Sequence, residues 1–314
     1  MVKYAITRIL WLIPTLLCMI IFLFTLTHFA PGDPVDVMCG PRASEETKTM
    51  VRELFHLDKP IHVQVFYFIK NLFQGNLGVS IADREPVIDK VMRVFPNTVV
   101  LTFFSMFWTF VLALILGSLS GIHQNTWIDY LITGFSFSMI SVPSFVIGLI
   151  LLLVFSIKIP ILPMSGSGTE GSIWSQIYHL ILPTIAISFA WLGFMCRTVK
   201  AMMIEVLSKD YVKMERSFGV PSLYIWGKYA LRNAAMPVVT QLGFATGEFL
   251  GGAVFIEMIF RRPGMGRLLA DSVSSLDYPV LQGTVFLTTI MFVLANLMAD
   301  LSHGFIDPRI RHGH

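Results

Sequence analysis

Long apolar runs separated by short polar stretches set the pattern of this chain. A helix needs about 20 apolar residues to cross the hydrocarbon core of a bilayer. Six runs come to about that length: Ile9 to Ala30, Thr98 to Ile122, Tyr130 to Ile157, Ile177 to Met195, Met236 to Ile259 and Val280 to Phe305. Pro14, Pro143 and Pro183 fall inside them. Membrane helices tolerate proline because neighbouring groups re-satisfy the freed carbonyls. The pattern therefore predicts an all-α integral membrane protein with six transmembrane helices.

Two stretches outside the runs have helical periodicity of their own. After the first run, Ala30-Pro31-Gly32-Asp33-Pro34 breaks the helix. Ser44 to Phe55 then places Met50, Val51, Leu54 and Phe55 on one side and ends at Asp58-Lys59-Pro60; Val63 to Phe73 follows and closes at Gly75-Asn76-Leu77-Gly78. Residues 31–96 thus read as a small amphipathic-helical extracytoplasmic region rather than a linker. The second stretch, the inner loop at 197–236, is the most polar part of the carboxyl half. It reads helix, turn, helix, with Gly219 suited to a C-cap and Pro221-Ser222 to a helix start. The second of these helices, Ser222 to Leu231, is expected to present Leu223, Ile225, Trp226 and Tyr229 outward. A solvated loop is the plain alternative, but an apolar tip is costly in water and points to docking. The chain divides into 1–30 (tail and first helix), 31–96, a five-helix core at 97–305 and a tail at 306–314.

Composition agrees with lipid as the solvent. Of the 314 residues 54% are hydrophobic and 14% charged, where soluble domains carry about 25% charged residues; the mean hydropathy is +0.70. A net charge of +3 gives a nucleic-acid role no support. With the N-terminus inside, eleven Lys and Arg fall in inner segments, from Lys3 and Arg8 through Arg197 and Lys200 to Arg309 and Arg311. Four fall in short outer loops: Lys158, Arg261, Arg262 and Arg267. That asymmetry predicts both termini cytoplasmic. The first run is too long for a cleaved signal and lacks an A-x-A site, so it reads as an anchor. Cys18, Cys39 and Cys196 are scattered, with no metal-ligand or disulfide spacing. No histidines pair as H-x₃-H, and no metal site is expected.

Few residues carry candidate chemistry. Glu248 lies mid-run, where a charge costs about 2.5–3.5 kcal/mol unless it faces a cavity or partner. It reads either as a contact for a cationic cargo group, a peptide amine or metal complex, or as a structural hydrogen bond. Asp300 lies nearer the inner interface and reads as structural. Gly243, Gly247, Gly251 and Gly252 have small-xxx-small spacing, which serves helix packing or a translocation path. No G-x-x-x-x-G-K-[ST] loop occurs, so the chain is not expected to bind ATP or to be an enzyme. Met164-Ser165-Gly166-Ser167-Gly168 lacks the G-x-S-x-G order of a nucleophile turn. An ion-coupled secondary transporter would bring an internal repeat and paired broken helices, and neither is evident; an intramembrane enzyme would have only Glu248 and Asp300 to work with.

The chain resembles the B-type permease of the dipeptide, oligopeptide and nickel ABC importers along almost its whole length. The likeness is carried by Ile13-Pro14-Thr15, Ala30-Pro31-Gly32-Asp33-Pro34, Leu57-Asp58-Lys59-Pro60, Gly75-Asn76-Leu77-Gly78-Val79-Ser80 and Ser141-Val142-Pro143-Ser144-Phe145. It continues in Asp210-Tyr211-Val212, Ala230-Leu231-Arg232-Asn233-Ala234, Gly251-Gly252-Ala253-Val254, Pro263-Gly264-Met265-Gly266, Asp277-Tyr278-Pro279-Val280 and Asp307-Pro308-Arg309. The resemblance implies the type I importer permease fold in a bacterial inner membrane. It implies a second homologous permease, two ATP-binding subunits that hold ATP and Mg, and an extracytoplasmic solute-binding protein, with no cofactor bound by this chain. It makes the inner loop the coupling loop, with Asp210, Tyr211, Glu215, Gly219, Val220, Pro221, Ser222 and Leu223 at the ATPase contact. The family's Glu-Ala-Ala letters are replaced by Lys213-Met214-Glu215, while the glycine position is kept as Gly219. A translocation path between the two permeases would use Glu248, Gly247, Gly251, Ser141 and Pro143. Small peptides are the cargo it suggests first; nickel or a metal chelate is the alternative.

Overall fold

The computed structural model describes residues 2–29, 35, 44–54, 58–169 and 171–306. Regular structure among them is helical, apart from one antiparallel bridge between Val79 and Pro86. In chain order the helices are α1 (Val2–Phe29), α2 (Glu45–Leu54), α3 (Ile61–Phe73), α4 (Val87–Ile122), α5 (Trp127–Ser141), α6 (Ser144–Leu152, prolonged by a π-turn Leu153–Lys158), α7 (Ile173–Ser208) and α8 (Asp210–Ser217). Then come α9 (Ser222–Ile225), a π-helical stretch Trp226–Leu231, α10 (Arg232–Ile259), α11 (Met265–Ser274) and α12 (Tyr278–Ile306).

Among the described residues four helices are long and apolar enough to cross a membrane: Val87–Ile122, Ile173–Ser208, Ser222–Ile259 and the Tyr278–Met298 part of α12. A fifth candidate is the pair α5 and α6, bent by 103°. This corrects the expectation of one continuous third run. Pro143 has no N–H and pushes the residue before it out of the helical region, and Val142 is extended at φ −109° and ψ 124°. Pro14, Pro96, Pro183 and Pro237 stay inside helices. In α1 the qualifying apolar stretch is the shorter Ile13–Thr25.

Two further boundaries move. Helix α7 runs past Arg197 to Ser208, so residues 197–208 of the expected inner loop at 197–236 prolong that helix. The expected short helix at 222–231 continues without a break into α10. The Ala30 to Pro34 breaker, Cys39, Phe55, Leu57, residues 307–314 and the side chain of Asp300 lie outside what is described.

The chain forms two compact units. The first comprises residues 1–98 and 263–294. Its core joins α1, α3 and α12 through edge-to-face rings, Phe24 to Phe68 at 5.3 Å and Phe68 to Phe286 at 6.1 Å. Each such pair is worth about 0.5–1.5 kcal/mol beyond its buried area. Asp277 is buried just before α12, where its Oδ1 accepts from Val280 N at 3.4 Å as an N-cap. The same carboxylate accepts from Ser80 Oγ at 2.5 Å and Ile81 N at 3.1 Å, tying the 79–86 turn to that cap.

The second unit comprises residues 99–262 and 295–314. Helix α7 is its axis, packed on α5, α6 and α10. Missing side chains allow that closeness. A Cβ on Gly193 would stand 2.5 Å from Ser136 O, and one on Gly117 would stand 2.5 Å from the Val199 Cβ. Close backbone approach of this kind is how helices gain packing energy in lipid. Phe103, Ile115, Leu131 and Leu149 point outward, which is an acceptable surface where lipid is the solvent.

Candidate functional site

A cavity of about 330 Å³ opens at the α5–α6 bend. Its lining includes Ser141, Pro143 and Ser144 from the bend, Ile187 and Trp191 from α7, and Glu248 and Gly252 from α10. The bend itself, Ile140 to Ser144, supplies five of the lining residues. Ser141 Oγ donates to Phe137 O at 3.0 Å, a back-bond that often accompanies helix bending.

Trp191 Nε1 donates to Glu248 Oε2 at 3.1 Å. The indole stacks on Phe249, with centroids 6.4 Å apart and planes inclined by 24°, and meets Phe194 edge-on at 5.6 Å. Two aromatic neighbours thus fix the ring, and its N–H is the one polar contact given to the carboxylate by a described residue. Three of the residues expected on the path, Glu248, Ser141 and Pro143, come together here. Gly247 and Gly251 do not line the cavity; Gly252 does. A Cβ on Gly251 would meet nothing within 4 Å, so this part of the small-residue row packs on nothing in its own chain. Trp191 was not anticipated. Its one sequence signal is an indole N–H in an apolar run, which needs an acceptor when withdrawn from water. Among the described residues no three His, Cys, Asp or Glu side chains converge as a metal site.

The second candidate site is the hairpin of α8 and α9. Gly219 takes φ +77°, the left-handed conformation that glycine adopts at least cost. Gly219 N bonds Arg216 O at 3.0 Å and Val220 N bonds Glu215 O at 3.2 Å, the paired bonds of a Schellman C-cap. Across the turn, Tyr229 Oη donates to Glu215 Oε1 at 2.9 Å, and Tyr229 faces Tyr211 at 6.0 Å. Lys213 Nζ donates to Asp210 Oδ1 at 2.9 Å, holding that exposed carboxyl below its ordinary range. Asp210, Tyr211, Glu215, Gly219, Val220, Pro221, Ser222 and Leu223 therefore share one compact turn. Val212 is buried and anchors it. Leu223, Phe218, Met214, Tyr224 and Tyr211 are the exposed large hydrophobic side chains of the hairpin. Ile225 corrects the outward expectation: it is fully buried.

Comparison with known proteins covers both ends of the chain. Residues 109–312 match the family described as binding-protein-dependent transport system inner membrane component. Residues 1–102 match the corresponding N-terminal family of membrane components. The chain is 38% identical over 312 residues to the glutathione transport system permease protein GsiC of Escherichia coli K12, covering 99% of this chain and 100% of that protein. GsiC of Salmonella typhimurium LT2 is 37% identical over the same length, with the same coverage. These relatives are permease subunits, not enzymes. Apolar spans, a bent helix pair enclosing a cavity, and a match from end to end place this chain in the family of inner-membrane permease components of binding-protein-dependent ABC importers.

Proposed function

We propose that this chain is one of two permease halves of an ATP-driven importer for peptide-type cargo, of which glutathione is one instance. The observation that carries the proposal is the end-to-end likeness to the GsiC permeases. In this reading α1, α4, the bent pair α5–α6, α7, α9–α10 and α12 are the six spans. Residues 31–96 lie outside the cell membrane and both termini lie in the cytoplasm. An extracytoplasmic binding protein delivers cargo, a second permease closes the path, and two ATP-binding subunits carry ATP and Mg.

The hairpin supplies the drive. Its exposed Phe218, Leu223 and Met214 form an apolar tip on a frame stiffened by the Tyr229–Glu215 bond. Closure of the ATP-binding subunits pushes this tip. Since the stretch from Ser222 runs on into α10, the push reaches Glu248 along one rod. Alternating access then follows as a rigid-body movement. Cargo passes along the cavity at the α5–α6 bend, between this chain and its partner permease.

The test is uptake of radiolabelled glutathione and alanyl-alanine by cells with and without this gene. Deletion is expected to abolish uptake of at least one of the two, with restoration by the wild-type gene. Unchanged uptake of both would remove the peptide reading.

A further inference from the structure

We infer that Glu248 and Trp191 form a subsite for the ammonium group of the cargo. The inference rests on the permease reading above and goes one step further, by naming the group that the cavity recognises.

Hydrogen-bond bookkeeping leads to it. An ionised carboxylate offers about four lone-pair positions. Among the described residues Glu248 receives one neutral donor, the indole N–H, on Oε2; Oε1 receives none. Asp129, also on a candidate span, is treated very differently. It receives Lys200 Nζ at 2.5 Å, Ser120 Oγ at 2.5 Å, Thr133 Oγ1 at 3.1 Å and Asn125 N at 3.1 Å. The unit thus neutralises one carboxylate with its own lysine and leaves the other exposed at a cavity. A carboxylate at membrane depth needs a partner, and charge complementarity makes that partner a cation.

Shape selects the cation. A divalent metal wants several oxygen, nitrogen or sulfur ligands; the cavity offers one carboxylate, and the indole N–H has no lone pair to give. A guanidinium pairs best with both carboxylate oxygens, and Oε2 already holds the indole. A compact ammonium needs only Oε1. The stacking of Trp191 on Phe249 keeps the indole N–H on Oε2 and leaves Oε1 as the carboxylate's vacant acceptor among the described residues. The amino terminus of a small peptide has this chemistry.

The test uses the complete importer, with its own binding protein, in proteoliposomes. Uptake of alanyl-alanine is compared with uptake of propionyl-alanine, the same molecule without its amino group, and ethylammonium is added as a competitor. Glu248→Gln is expected to lower the preference for alanyl-alanine about tenfold, as loss of one charge-assisted hydrogen bond would. It is also expected to weaken inhibition by ethylammonium by a similar factor. Glu248→Asp should keep an intermediate preference. An unchanged preference in Glu248→Gln, with both cargoes slowed in proportion or not at all, overturns the subsite. Absence of ATP-driven uptake of both alanyl-alanine and glutathione by the wild-type complex would instead overturn the peptide-importer reading beneath it.

Discussion

Asp129 and Glu248 are two carboxylates in the same unit with opposite surroundings. Asp129 is buried, and Lys200, two hydroxyls and a backbone amide close around it. Glu248 is exposed at a cavity and holds one indole N–H. The same division recurs among the glycines: Gly193 presses on Ser136 O, while Gly251 meets nothing. Groups finished within the chain hold the fold, and groups left open await something from outside it.

Breaking the closed carboxylate should have the largest effect. Lys200→Met leaves a buried negative charge uncompensated, a loss of about 3 kcal/mol for such pairs; Asp129→Asn in addition should recover most of it. Thermal unfolding in detergent reads both, and Glu248→Gln should change stability by no more than about 0.5 kcal/mol. Equal losses at the two sites would erase the contrast. Next, Gly193→Ala should cost about 2 kcal/mol through overpacking, against no more than about 0.5 kcal/mol for Gly251→Ala.

Gly219→Val forces a β-branched residue to φ +77° at a cost of about 1–2 kcal/mol. Its larger consequence is functional, since uptake should fall while the complex continues to hydrolyse ATP. Normal uptake by that variant would detach the hairpin from the drive. The smallest effect concerns an exposed pair. Lys90 Nζ lies 2.6 Å from Asp83 Oδ2, and its hydrogen bond lowers the Asp83 carboxyl from 3.8 to about 2. A depressed carboxylate stabilises the fold above pH 3.8, and that contribution disappears as pH falls through about 2. Carboxyl ¹³C titration in nanodiscs should show this midpoint, and Lys90→Met should return it toward 3.8.

How much of this was legible in the sequence depended on distance along the chain. Apolar runs declare themselves locally, because the length needed to cross a bilayer is a property of each segment. The Gly219 cap was equally readable, since both of its hydrogen bonds close within a few residues. Pro143 was not. Pro14, Pro96, Pro183 and Pro237 sit inside long helices and Pro143 breaks one, and only tertiary neighbours decide which proline does so. Lys200 reads in the sequence as one more inner cation, and nothing near it in the chain points to Asp129. Trp191 and Glu248 are 57 residues apart, so their bond exists only once α7 packs on α10. Gly117 and Gly121 share the small-xxx-small spacing and both press on α7, at Val199 and Met203, whereas Gly193 has no such spacing and Gly251, which has it, meets nothing in its own chain.

ATP-dependent uptake by reconstituted protein is the most direct test of the central claim. Proteoliposomes holding this chain with its second permease, its ATP-binding subunits and its binding protein should accumulate alanyl-alanine or glutathione when ATP is supplied. Vesicles holding the chain alone should accumulate neither. Uptake by the chain alone, driven by an ion gradient and indifferent to ATP, would contradict the account.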